Sequence, residues 1–309
     1  MGIALQTMTN ELTHVFLLSV GAFLLAMFLT PIYTFFAYRY RFWKRQRSES
    51  TDGKKLKVFA KFQAAKLRRN IPTMAGVIGV ISIFVVTIFF NLDRAQTWLP
   101  LAALVGGGIV GLIDDIINLR GLGGGAAGLR SPVKFALITL IGVVLGWFFF
   151  AKLGVASFHV PFVGEVNIGW LIVPLFAFAV VATGNAVNIS DGMDGLAGGL
   201  LGISFGAFGV IALLQQHVIL AGFCFTVVGV LLSYLWFNIY PARFFMGDVG
   251  SFAYGACLGV VAMLTDSLLL LPVIGLLFVI EAGSSLTQIV SKKLFKRKIF
   301  LSAPIHHHL

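Results

Sequence analysis

The chain has 309 residues, 58% of them hydrophobic and only 11% charged, with a mean hydropathy of +0.95 and a formal charge of +11. Such a composition excludes a sizeable water-soluble domain, and apolar runs that are continuous rather than alternating exclude a closed β-barrel. Cys224 and Cys257 sit singly in apolar runs, so the sequence offers neither a disulfide framework nor thiolate metal spacing.

Apolar runs at 14–38, 72–90, 98–113, 132–151, 168–187, 196–214, 218–237, 252–264 and 268–291 predict an all-α polytopic membrane protein. These amount to about nine transmembrane helices in one integral-membrane domain covering 1–309. With nine spans, loops 39–71, 114–134 and 238–252 share a side with the tail 292–309. That side holds 21 of the 23 Lys and Arg, leaving only Arg94 and Lys152 on the other. The basic side is therefore expected to be cytoplasmic, with the N-terminus outside. The first thirteen residues carry no Lys or Arg, which argues against a cleaved signal peptide. The positive charge then reflects topology and contact with anionic lipid, and nucleic acid is not an expected partner.

Taken in chain order, the first polar segment is the basic loop 39–71 with its twelve Lys and Arg. Its stretch near Leu56–Leu67 reads as amphipathic, resting on lipid headgroups; Arg68 and Arg69 at its end are either solvated or grip a phosphate. The third span is expected to close at GLIDD, where Asp114 and Asp115 stand side by side. Adjacent carboxylates repel, so they need a nearby cation unless one of them binds a proton. Residues 157–168 read as a short external β-hairpin turning at Gly164.

Next comes Asn185-Ala-Val-Asn188-Ile-Ser-Asp191-Gly192-Met-Asp194-Gly195, with polar side chains at every third residue. These drift around a helix by about 60° per step, and Gly192 and Gly195 are expected to break it. An amide- and acid-lined loop at the membrane rim suits nucleotide and metal ligation better than lipid contact. In Phe244-Phe245-Met246-Gly247-Asp248-Val249-Gly250-Ser251, glycines flank Asp248 and allow close backbone approach, while Phe245 offers a face for a base. Glu281, Ser285 and Gln288 share a face of the last span, either for helix–helix hydrogen bonding or as a polar cavity wall. The last residues are Ala303-Pro-Ile-His306-His307-His308-Leu309, whose histidines are readable as a tag remnant or as phosphate donors. Five aspartates (114, 115, 191, 194 and 248) thus fall on one predicted side. An acid at mid-bilayer costs roughly 2.5–3.5 kcal/mol, so acids gathered at one rim point to a shared Mg2+ and phosphate site.

IPTMAG (71–76), GLIDD (111–115), NAVNISDGMDGLAGG (185–199), FMGDVGS (245–251) and APIHHHL (303–309) occur in this order. Together they resemble the polyprenyl-phosphate N-acetylhexosamine-1-phosphate transferases, and the APIHHH tail resembles the branch that handles phospho-N-acetylmuramoyl-pentapeptide. The resemblance implies a Mg2+-dependent transfer of that group from its UDP carrier to undecaprenyl phosphate, giving lipid I and UMP at the cytoplasmic face of the bacterial inner membrane. By motif position, Asp114, Asp115, Asp248 and His307 would be catalytic, with Asp248 and Asp191 on the metal. Asn188, Asp191, Gly192, Asp194, Phe245, Gln288, Lys134, Arg68, Thr73, His306 and His308 would bind substrate. The family also implies a homodimer.

Three features depart from its pattern. Arg68-Arg69-Asn70-Ile71 replaces a lysine and a glycine-threonine before IPTMAG, and Gly121–Gly128 is longer and neutral where lysines are usual. The family also continues past the histidines into a tenth span. Two other functions remain in view: the same reaction with UDP-GlcNAc or a related sugar, and a cation-coupled transporter. A transporter relay would spread acids through the membrane depth, whereas these cluster at one end.

Overall fold

The computed structural model describes residues 2–43, 70–121 and 128–305. The amphipathic stretch Leu56–Leu67, Arg68 and Arg69, most of the glycine-rich loop and His306, His307 and His308 lie outside the described residues. The described residues are mostly helical: α1 (Gly2–Arg39), α2 (Gly76–Phe90), α3 (Trp98–Arg120), α4 (Ser131–Leu153), α5 (Ile172–Ser190), α6 (Leu196–Leu214), α7 (Val218–Asn238), α8 (Gly247–Leu264), α9 (Leu271–Ile274) and α10 (Leu276–Phe295). The one sheet among the described residues is a hairpin of β1 (Ser157–Val160) and β2 (Gly164–Asn167) between α4 and α5.

Every apolar run expected to span is helical, but not all are straight spans. Among the described residues, seven helices are long and apolar enough to cross a membrane, and α2 is a shorter apolar helix of 15 residues. The last run is broken: Leu268–Ile274 and Leu276–Phe295 meet at an angle of 82°, with Gly275 between them.

α8 is the centre of the bundle, with 94% of its residues buried. Its small residues explain why. A Cβ on Gly111 of α3 would lie 2.1 Å from the Asp248 carbonyl oxygen, and one on Gly107 would lie 2.5 Å from that of Phe252. On the opposite flank, a Cβ on Gly255 would lie 2.8 Å from the Gly184 Cα of α5. Backbones approach this closely only where side chains are missing, and small-residue seams are how helices associate tightly in lipid. The α3–α8 contact is the most extensive between helices among the described residues. Outer helices present apolar side chains outward, among them Phe16, Leu17 and Phe28 of α1 and Phe135, Leu140 and Trp147 of α4. That is the surface a bilayer solvates.

Two boundaries differ from the sequence expectation, and both matter for the acids. Asp114 and Asp115 do not end α3, which continues through Ile116-Ile117-Asn118-Leu119 to Arg120 and stops at the left-handed Gly121. The unfavourable dipole at a helix C-terminus therefore acts beyond them. Asp248 is not in a turn between spans either; it lies in the first turn of α8, where the dipole favours an anion.

Candidate active site

The close approach of α3 and α8 brings Asp114, Asp115 and Asp248 to one end of the bundle, and all three are buried. Lys134, in the first turns of α4, donates to Asp114 Oδ2 at 3.1 Å and to Asp248 Oδ2 at 2.9 Å. Its ammonium also sits 5.6 Å from the centre of the Phe252 ring. Position 134 is separated from its partners by 20 and 114 residues, so no local pattern announces the pairing. An ammonium at a helix N-terminus is disfavoured by the dipole, and the two carboxylates offset that.

Two further carboxylate oxygens are held by backbone. Leu129 N–H donates to Asp114 Oδ1 at 2.6 Å, which closes the end of the glycine-rich loop over this acid. Gly128 has φ +119°, and a Cβ there would lie 2.7 Å from Asp114 Oδ1. Val249 N–H donates to Asp115 Oδ2 at 3.1 Å. Gly247 has φ +76° and would place a Cβ 2.6 Å from that same oxygen, so glycine is required there both for conformation and for space.

The IPTMAG segment forms one wall by pairing with FMGD. Phe245 N–H donates to Pro72 O, Ala75 N–H to Phe245 O and Gly76 N–H to Met246 O, at 2.9–3.0 Å. Thr73 is buried; its N–H donates to Phe42 O and its carbonyl accepts from the Tyr33 hydroxyl. Phe245 is half-buried beside this wall.

A second cluster follows α5. Asn188 donates from Nδ2 to Ser251 Oγ at 2.9 Å, joining α5 to α8. The helix ends at Ser190, Asp191 caps it, and Gly192 lies in the turn before α6. Asp194 Oδ2 accepts from Ala242 N–H at 3.1 Å, and Gly195, at φ +78°, donates from its N–H to Asn238 Oδ1 at 2.9 Å. Asn238 also donates to Phe244 O at 2.9 Å. The turn expected to ligate nucleotide is thereby tied to the segment leading into Asp248. Asn238 went unnoticed in the sequence; its signal is an amide closing an otherwise apolar run.

Gln288 is buried on α10, and both ends of its amide bond to the backbone of Ile299 and Phe300. Glu281 is buried on the same face, with Ser284 and Ser291 rather than the half-buried Ser285.

The donor set can be tested for a metal on its chemistry. Three buried carboxylates against one ammonium leave a formal charge of −2, and all available donors are hard oxygens, which fits Mg2+. Asp248 and Asp191 do not form, with any third acid or histidine among the described residues, a set of ligand atoms all within 4.8 Å. The one such set is His159, Glu165 and Asp266 at the opposite end, on the hairpin and the turn after α8. There, His159 N–H donates to Asp266 Oδ1 at 2.8 Å, and His159 pairs across the hairpin with Glu165.

Comparison with known proteins bears on what this end of the bundle does. Residues 97–266 match the family described as glycosyl transferase family 4. The phospho-N-acetylmuramoyl-pentapeptide-transferase of Chloroflexus aggregans (strain MD-66 / DSM 9485) is 37% identical over 322 aligned residues, covering 100% of this chain and 85% of that protein. The protein of the same name from Geobacillus thermodenitrificans (strain NG80-2) is 36% identical over 93% of this chain and 86% of its own length. For that of Bacillus anthracis (strain A0248), identity is 34% over the same shares. The matched family region contains Asp114, Asp115, Lys134 and Asp248. The chain belongs to the phospho-N-acetylmuramoyl-pentapeptide-transferase family.

Proposed function

We propose that this protein transfers phospho-N-acetylmuramoyl-pentapeptide from its UDP carrier to undecaprenyl phosphate, releasing UMP and forming lipid I, with Mg2+ at the acid cluster. The observation that carries the site is the half-buried lysine shared between the buried carboxylates of Asp114 and Asp248. Bringing a lipid phosphate up to a pyrophosphate juxtaposes two polyanions, and lowering that repulsion is the main work of such a site. Mg2+, when bound, supplies charge neutralisation of the pyrophosphate and of the leaving UMP.

The chain's own residues do the rest. An oxygen of the lipid phosphate attacks the phosphorus that bears the sugar, the bond to the UMP oxygen breaks, and UMP leaves with that electron pair. Asp248 and Asp191 are the metal-side carboxylates. Asp114, held by the Leu129 N–H, orients the lipid phosphate, and Asp115, fixed by the Val249 N–H, sets the register of α8 against it. Lys134 is the cation within reach of the incoming phosphate. Asn188, Gly192 and Asp194 line the nucleotide side with Phe245 against uracil, and Thr73 and Arg68 also serve substrate binding. His306, His307 and His308 hold the donor's phosphate or sugar. The site faces the cytoplasm from the inner membrane, and the protein works as a homodimer.

The test is UMP release by the purified protein in detergent with undecaprenyl phosphate and Mg2+, offering UDP-N-acetylmuramoyl-pentapeptide and UDP-GlcNAc separately. Release with the pentapeptide alone, dependent on lipid and Mg2+ and lost in Asp248→Ala, is the expected result. Release from UDP-GlcNAc would move the donor assignment, and silence with both would overturn the reaction.

A further inference from the structure

The last helix carries a buried polar stripe that the chemistry above does not use. Glu281, Ser284, Gln288 and Ser291 all face inward on α10, whereas Leu286, Ile289, Val290 and Leu294 are exposed. Buried polar groups need partners, and here the partner is the chain itself. Ser291 Oγ donates to Arg297 O at 2.9 Å. Gln288 Nε2 donates to Phe300 O at 2.8 Å, while its Oε1 accepts from the N–H groups of Ile299 and Phe300, both at 3.0 Å. Ser284 Oγ accepts from Ile305 N–H at 3.1 Å and donates to Glu281 O at 2.8 Å.

The order of these bonds is the informative part. As the tail advances from 297 to 305, its helix partners recede from 291 to 284. Lys296 caps α10 in the left-handed conformation at φ 53°, the chain reverses, and the tail runs back along the helix. Seven residues of helix correspond to about 10 Å. Ile305 thus returns from the end of α10 to the level of Ser284, on a helix that packs against α5. His306 is one peptide bond further on. A primary amide is well suited to the middle rung, because it accepts from two N–H groups and donates to a carbonyl at once, as a neighbouring backbone would.

We propose that Ser284, Gln288 and Ser291 are positioning residues: they form a hydrogen-bonded template that returns the C-terminal tail along α10 and sets where His306, His307 and His308 begin. On this account Gln288 serves the reaction through the histidines and not by touching the nucleotide. The inference rests on the proposed role of the histidines in holding the donor.

The experiment uses the full chain in detergent with Gln288→Leu, which removes all three bonds, and Gln288→Glu, which keeps the two acceptances and loses the donation. Hydrogen exchange of the 297–305 amides reads the template without reference to any substrate. Exchange should be faster in Gln288→Leu, and unchanged exchange would overturn the template itself. Steady-state UMP release then separates positioning from contact. A template predicts that kcat falls about 10- to 100-fold while KM for UDP-N-acetylmuramoyl-pentapeptide stays within about twofold, with Gln288→Glu in between. A raised KM at unchanged kcat would make Gln288 a donor contact and sink the proposal, as would faster exchange with undiminished turnover.

A cysteine pair at Ser284 and Ile305 in the Gln288→Leu background adds a rescue arm. Cys224 and Cys257 are buried and do not compete for it. Oxidation should restore at least about a fifth of the lost turnover and reduction should abolish it again; no recovery in a chain shown to be cross-linked overturns the positioning role. If the unaltered chain releases no UMP from any donor, the functional reading fails while the exchange data still judge the template.

Discussion

The two ends of this bundle each gather acids beside a basic side chain, and they are built in opposite ways. At one end Asp114, Asp115 and Asp248 are buried against the backbones of α3 and α8, and Lys134 reaches in to bridge two of them. At the other, His159 and Glu165 are a cross-strand pair on an exposed hairpin, 3.7 Å apart, with Asp266 alongside. Ligand atoms are closer together in this second set, yet two of its three side chains are open to solvent. Spacing of donors alone is therefore a poor guide to chemistry. Burial with incomplete charge compensation is the better one, because an under-neutralised acid cluster attracts a cation or a phosphate-bound metal instead of water.

That contrast can be tested from its strongest consequence downward. Asp248→Asn should lower UMP release by about a thousandfold or more while the protein still folds, since its neighbours accept the change at a helix N-terminus; residual turnover within tenfold of the parent would remove Asp248 from the chemistry. Lys134→Met should be the most damaging of the set for stability. It leaves three buried carboxylates with no ammonium, a loss of about 3–5 kcal/mol by comparison with broken buried pairs. Its melting temperature in EDTA should drop, and Mg2+ should raise it more than in the parent. An equal Mg2+ response in both would show that the lysine is not compensating the acids.

Gly111→Ala comes next, because its Cβ would press on the backbone carbonyl of Asp248. A destabilisation of about 1–3 kcal/mol is expected, together with lost turnover, although no side chain of the acid cluster is altered. His159→Ala should be the mildest, within about 0.5 kcal/mol and with unchanged UMP release; a large loss of activity would mean that the hairpin end matters to the reaction.

Acidity should separate the ends as well. Glu165 is held below the usual carboxylate range, first by the Ser157 hydroxyl and then by the Asp266 carboxyl. What it contributes is thus present at neutral pH and lost on acidification through its folded value. Asp266 is raised, chiefly by burial, so the sign is reversed: its effect favours the fold at low pH and fades as pH rises. The two oppose each other, so a pH scan of stability in the acidic range should carry contributions of opposite sign from this end.

Much of this architecture is legible in the residues. Continuous apolar runs announce the helices, the hairpin is legible although it turns at 161–163 and Gly164 opens β2 instead of forming the turn, and the aspartates stand out because membrane segments rarely keep them. Less legible is whatever depends on two distant segments meeting. Asp114 and Asp115 read as a helix end because acids punctuate a hydrophobic run, yet the helix continues, since the next four residues tolerate helix and a neighbouring backbone satisfies the acids. Lys134 and Asp248 cannot be paired from spacing. The polar face of α10 was half visible as Glu281, Ser285 and Gln288; the observed stripe uses Ser284 and Ser291, because the helix is rotated to face its own tail. The break at Gly275 left no mark in the hydropathy of 268–291, which stays apolar across it.

The glycine seam between α3 and α8 has a mechanical consequence. Membranes differ in thickness, and helices answer a mismatch by tilting. Helices separated by long side chains can slide and pivot as they do so, whereas two backbones already in contact through Gly107 and Gly111 have almost no clearance. Strain from a thinner or thicker bilayer should then be taken up away from this seam. The separation of Asp115 from Asp248 would pass from one lipid environment to the next nearly unaltered, like a gauge cut into a single block.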